Sequence, residues 1–201
     1  MNRTLVVALA VVGAIVLIIL LFVGWGIATY NKIVSAEEGV KEGWSQVENQ
    51  YQRRYDLIPN LVETVKGYAK QEREVLENVT NARSRVGQLS VTPEVLNDPQ
   101  AFAKFQQAQD GLSSAISRLL VVTENYPQLK SNENFAALQQ QLEGAENRIS
   151  VERRRFNETV QSFNTMVRRF PASFIASMYG FKEKQYFSAA TGAEEAPKVK
   201  F

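Results

Sequence analysis

Tyr51-Gln52-Arg53-Arg54-Tyr55-Asp56-Leu57-Ile58-Pro59-Asn60-Leu61-Val62-Glu63-Thr64-Val65-Lys66-Gly67-Tyr68 is the stretch on which the fold turns. Before it, Val40, Trp44, Val47 and Tyr51 recur at spacings of four, three and four; after it, Leu61, Val65, Tyr68, Val75, Val79 and Ala82 continue in the same style. Both series are apolar seams of amphipathic helices. Pro59 stands between them. Inside a helix a proline removes one hydrogen bond and crowds the preceding turn, at a cost of ~3 kcal/mol. A single kinked helix over 31–88 would be roughly 85 Å long, and later helices of about 40 and 57 Å would leave much of its apolar face bare. A turn near Asp56–Pro59 instead gives helices of about 25, 30, 28 and 38 residues that can pack up-down-up-down. The turn is the preferred expectation. On it Arg53 and Arg54 close the first helix, where cations suit the negative dipole end, and Asp56 accepts N–H bonds opening the second. Arg53, Arg54, Asp56, Pro59 and Asn60 are thus predicted to form a structural helix corner, with Glu63 pairing with Lys66 or Arg54.

Toward the N-terminus the chain becomes apolar. Between Arg3 and Lys32 there is no charge, and Leu5–Ala28 is nearly all aliphatic. At ~1.5 Å per residue this crosses a hydrocarbon core of ~30 Å with some tilt. Trp25 and Tyr30 fall near its end, where amphipathic aromatics prefer the headgroup level. The apolar run is longer than that of a signal peptide and no good A-x-A site follows, so it is read as a retained anchor. Arg3 on one flank and Lys32 and Lys41 on the other leave the orientation open.

Toward the C-terminus, Phe102, Phe105, Leu112, Ile116, Leu119 and Tyr126 form a third seam. The fourth runs through Phe135, Leu138, Leu142, Ala145, Ile149, Phe156, Val160, Phe163, Val167 and Phe170. Pro93 and Pro99 mark a loop over 87–99, Tyr126-Pro127 ends the third helix, Ser131 or Asn132 caps the fourth, and Pro171 ends it. Gln109 and Glu152 interrupt the seams, as register-fixing polar residues do. The aromatics after Pro171 (Phe181, Tyr186, Phe187, following the apolar Ala172–Tyr179) are expected to dock on the bundle end, with shallow membrane contact as the alternative. Residues 188–201 read as a disordered tail.

Composition narrows the function. Twenty-three Lys and Arg stand against 21 Asp and Glu, a net charge of +2 over 201 residues, which makes no electrostatic case for nucleic acid. There is no His and no Cys. Imidazole catalysis, thiolate nucleophiles, zinc knuckles and iron–sulfur clusters are therefore excluded, as is the Glu-x-x-His signature of di-metal bundles. Arg153-Arg154-Arg155 and Arg168-Arg169 are the dense basic runs. Three consecutive helical residues point in three directions, so the first reads as solvated or salt-bridged faces rather than one patch; anionic-lipid contact is the other reading. Ser35, Gly39 and Gly43 share a four-residue spacing, as do Gly24 and Ala28 within the anchor. Such stripes let helix backbones approach closely. Gly24, Ala28, Ser35, Gly39 and Gly43 are candidate self-association residues, with packing against the later helices of the same chain the equal alternative.

Residues 44–72, and above all Arg53–Ala69, closely resemble the LemA family of bacterial proteins. Glu124-Asn125-Tyr126-Pro127-Gln128-Leu129-Lys130, Asn134-Phe135, Glu146-Asn147-Arg148-Ile149, Phe156-Asn157, Phe163-Asn164 and Tyr186-Phe187 resemble its later signatures, Tyr-Asn being the commoner form of the Phe-Asn pairs. The resemblance implies a membrane anchor followed by an antiparallel helical bundle, and it implies no reaction and no catalytic residues.

The expected protein is all-α: an N-terminal transmembrane helix (1–30) followed by an elongated antiparallel four-helix up-and-down bundle (31–187) and the tail. It is expected in the bacterial inner membrane as a single-pass protein, with the side of the bundle open. The expected function is a non-enzymatic helical scaffold that self-associates, without cofactor or metal. Its partners would be the lipid bilayer, further copies of itself and other membrane proteins. A lipid-binding or stress-responsive membrane organiser is one alternative, resting on the Arg clusters and tail aromatics. A carboxylate-dependent membrane enzyme subunit is another, opposed by the lack of phosphate loops and nucleophile elbows.

Overall fold

One helix runs straight through the expected corner. The computed structural model describes residues 3–89 and 92–188. In it α1 spans Arg3–Tyr68, 66 residues with Pro59 inside, or about 100 Å at the helical rise. Pro59 has no N–H to give the carbonyl four residues earlier, that of Tyr55. Arg83, from the next helix, donates its Nε to that carbonyl at 3.3 Å and lays its guanidinium 3.9 Å from the Tyr55 ring centroid. Pro59 itself is exposed. The corner at Arg53, Arg54, Asp56, Pro59 and Asn60 is therefore corrected. Asp56 accepts from Gln52 rather than from a helix start, and Glu63 pairs with Lys66. The first turn comes at Ala69–Glu72, pinned by the Tyr126 hydroxyl donating to the Glu72 carboxylate at 2.8 Å.

Helix α2 (Arg73–Gly87) returns along α1. It ends where a Cβ on Gly87 would lie 2.7 Å from the Tyr55 hydroxyl, so only glycine fits without displacing that ring. A 3-10 turn, Pro93–Asn97, fills part of the expected loop. Asp98 then caps α3 (Pro99–Thr123) by accepting from Gln100 and Ala101 N–H. One turn of helix, α4 (Pro127–Lys130), leads to Asn132, one of the two expected caps, which accepts from Phe135 N–H and opens α5 (Glu133–Arg168). A short α6 (Ala172–Tyr179) follows and stops at Gly180, whose φ of 77° favours glycine.

All regular structure among the described residues is helical. Helix α1 packs chiefly on α5, and α2 on α3. The first pair is antiparallel: Gly43 lies against Phe156, and Tyr68, at the C-terminal end of α1, accepts from Asn132 at the N-terminal end of α5. The buried seams form two apolar clusters. One centres on Trp44, Phe105, Phe156 and Phe163; the other on Leu61, Leu112, Phe135 and Leu142. Along α1 the first cluster ends at Tyr51 and the second begins at Ile58. The N-terminal part of α1 is long and apolar enough to cross a membrane by length and composition, and Val7–Val23 carries exposed aliphatic side chains throughout. The expected tail beyond Ser188 lies outside the described residues.

Candidate functional site

The gap between the two clusters holds charge. Arg54 projects from α1 and is fully buried. Its guanidinium donates to the Glu146 carboxylate at 2.6 Å, to the Ser113 hydroxyl, and to the side chain and backbone carbonyl of Gln109. Three helices thus meet through one side chain. A guanidinium stays charged at any accessible pH, and its planar fork spreads donors over several acceptors. The Nε of Arg54 has no partner among the described residues. Gln109, one of the two polar interruptions read in the seams, is buried and bonded as a register-fixing residue should be. Glu152, the other, pairs along its own helix with Arg155.

One turn toward the membrane end, Arg153 donates to the Tyr51 hydroxyl and to Asp110, the latter at 2.9 Å. The three consecutive arginines therefore separate as their helical angles require: Arg153 points inward and Arg155 outward, while Arg154 lines a surface groove. Burial pushes the Tyr51 hydroxyl up from 10.0 to about 12, against the opposing pull of Arg153. The raised value means that stability is fully present below the unfolded value of ~10 and is lost as pH rises through the folded one. Between about pH 10 and 12 the fold should lose roughly 3 kcal/mol through this residue. Urea titrations of the parent and Tyr51→Phe across that range check it: the parent curve falls more steeply, and parallel curves refute the assignment.

A groove of about 540 Å³ opens beside this layer, lined by Ser113, Glu146, Arg153, Asn157, Gln161 and Tyr186, among others. One wall is an extended C-terminal strap, residues 181–188. Asn164 donates to the Lys184 carbonyl and accepts from its N–H, both at 2.9 Å. Asn157, two turns earlier on α5, does the same for Phe187 at 2.8 and 2.9 Å. Gln106 of α3 grips the backbone of Ser188. Side-chain amides thus replace a neighbouring strand. The Lys184 ammonium reaches Glu37 at 2.6 Å and Asn97 at 2.8 Å, and Phe187 enters a cage of Trp44, Phe102 and Phe156. The Phe-Asn pairs have divided labour: Phe156 and Phe163 build the core, while Asn157 and Asn164 hold the strap. Their seven-residue repeat was the available signal for this clasp.

The small-residue stripe splits. Gly39 and Gly43 face α5, where added Cβ atoms would sit 3.8 Å from Thr159 and 3.6 Å from Phe156. An added Cβ on Gly24 would meet nothing within 4 Å among the described residues, and Ala28 and Ser35 are exposed.

Chemically, this arrangement braces the helices against one another. Among the described residues no group of three or more Asp and Glu converges to hold a metal. The buried ionisable groups Arg54 and Lys184 are tied to other elements of the chain. A span-length apolar helix continuing into a braced helical body defines a membrane-associated helical protein. The chain belongs to the LemA family, whose profile matches residues 43–201. Magnetosome protein MamQ of Magnetospirillum gryphiswaldense is 26% identical over 188 residues, covering 86% of this chain and 69% of that relative. Magnetosome protein MamQ 2 of Paramagnetospirillum magneticum is also 26% identical over 188 residues, with the same coverage. Protein LemA of Metamycoplasma hominis is 20% identical over 160 residues, covering 80% of this chain and 69% of the relative.

Proposed function

We propose that this chain is a single-pass, membrane-anchored scaffold: residues 1–30 hold it in the bacterial inner membrane, and 31–187 form an elongated four-helix bundle that presents helical surfaces without catalysing a reaction. The observation that carries this reading is the use made of the buried and half-buried charges. Buried Arg54 and Lys184, and Arg153 at the wall of the groove, each tie separate elements of the chain together. Rigidity over length is what such ties supply. Relatives named as magnetosome proteins and as LemA match most of this chain, which suits a body reused in different settings more than one fixed reaction.

Self-association is the finer part of the proposal. Gly39 and Gly43 already face α5, which leaves Gly24 and Ala28 as the open small residues on the span. Close approach there recovers dispersion contacts, and confinement in the bilayer raises effective concentration. The chain should remain in carbonate-washed membranes and, extracted in detergent, migrate as a discrete assembly of several 22.6 kDa copies. Gly24→Leu with Ala28→Leu should dissolve that assembly and leave the thermal melt unchanged. A monomeric parent defeats the self-association, and a shortened soluble chain starting near Thr29 defeats the anchor.

A further inference from the structure

We infer that α6 is a second membrane contact, lying in the headgroup–acyl boundary of an anionic phospholipid bilayer beside the span of its own chain. Its two faces differ. Ile175 and Ala176 are buried on the first apolar cluster. Phe170, Phe174 and Met178, spaced by four, are 83%, 61% and 60% exposed, and Tyr179 is 58% exposed. Phe170, Phe174 and Met178, three large apolar side chains in one short segment turned away from the protein, need a cover.

The height of α6 on α1 says what covers it. A Cβ on Gly26 would meet Ile175 at 3.7 Å, and the Tyr30 ring lies 4.6 Å from Tyr179 and 5.9 Å from Phe181. Gly26 and Tyr30 bracket the end of the apolar run Leu5–Ala28. If that run crosses the bilayer, α6 is fixed at the level of the headgroups, where amphipathic helices and aromatic side chains partition. The flanks match an anionic surface. Arg168 and Arg169 precede the segment, Lys182 follows it and Lys32 stands just beyond the span, against Glu183, while Glu37 and Glu38 are already paired with Lys184 and Lys41. Arg168 meets Glu183 only at 3.5 Å with both side chains exposed, which leaves it free to face phosphate. Two contacts would also fix the rotation of the long α1 about its axis, which a lone span leaves free.

The inference rests on the span, and the test separates the two. The chain has no cysteine, so single cysteines carry one spin label each. The full chain is reconstituted in phosphatidylcholine–phosphatidylglycerol vesicles with labels at Phe174→Cys, Met178→Cys, Leu17→Cys within the apolar run, and Val121→Cys at an exposed site on α3. Power saturation compares collision with lipid-soluble oxygen against a water-soluble nickel chelate. The oxygen-to-nickel ratio at 174 and 178 should be several-fold above that at 121 and approach that at 17. A ratio at 174 and 178 equal to that at 121, with 17 in lipid, overturns the inference and leaves the span standing. Shielding of 174 and 178 from both reagents, with spin–spin broadening, overturns it in favour of a second copy. A water-like ratio at 17 overturns the span and α6 together.

Discussion

Glu146→Ala is expected to cost the fold about 3–5 kcal/mol, more than removal of the arginine it pairs with. Three residues accept from the Arg54 guanidinium, but only Glu146 carries a countercharge. The Arg54 side chain is 1% exposed, whereas that of Glu146 is 37% exposed at the edge of the groove. Truncating the carboxylate strands a permanent cation between two apolar clusters, where its desolvation is uncompensated. Truncating the arginine is milder, because Glu146 can turn to water. Arg54→Met then costs about 1–3 kcal/mol, set by the amide of Gln109 and the hydroxyl of Ser113 left without a donor. Glu146→Gln should fall between the parent and Glu146→Ala, since it keeps an acceptor and loses the charge. Urea unfolding of the detergent-solubilised variants, followed by circular dichroism, gives the order. A loss below about 0.5 kcal/mol for Glu146→Ala, the range of surface substitutions, would mean that water reaches Arg54 and the layer is not dry.

The same layer explains what the sequence could and could not reveal. Apolar seams are local, and they led directly to the buried Trp44, Leu61, Leu112, Leu142 and Phe156. Asn132 capping α5 was legible for the same reason, because cap and capped N–H lie three residues apart. Arg54 was not. Its window shows only a cation beside another cation before a proline, which suits a helix end as well as a core. Its partners Gln109, Ser113 and Glu146 lie 55, 59 and 92 residues away. Pro59 failed likewise: the penalty is a local rule, while the relief comes from Arg83, 28 residues beyond the carbonyl it serves. One long helix does not leave its face bare, because α2 and α5 both run along it and its first third is a separate apolar run long enough to cross a membrane. The Phe-Asn pairs were visible as a repeat. What they hold was hidden, because an extended strap has no periodicity of its own to match.

That strap carries the other large expected effect. Phe187→Ala should cost about 3–5 kcal/mol, the usual penalty for emptying an aromatic site in a core. Phe187 is 6% exposed, its ring lies 5.0 Å from Phe102, 5.5 Å from Phe156 and 6.0 Å from Trp44, and the Arg153 guanidinium stands 4.9 Å from it. Asn157→Ala removes the amide that satisfies both the N–H and the C=O of Phe187, at about 1–3 kcal/mol for each group left buried and unpaired. The two penalties should not add. Phe187 anchors a strap that has no secondary structure of its own, so without the ring residues 185–188 can lift away and give their backbone groups to water. Once they have lifted, loss of Asn157 removes a clasp with nothing in it. The double variant should therefore lie close to Phe187→Ala alone, an interaction energy about as large as the whole Asn157→Ala penalty. Fluorescence of Trp44, fully buried beside Phe187 in the parent, should shift to the red in both variants that lack the ring. Strict additivity with an unshifted Trp44 would show instead that the strap stays in place without its aromatic anchor, held by Asn164 and the Lys184 ion pair.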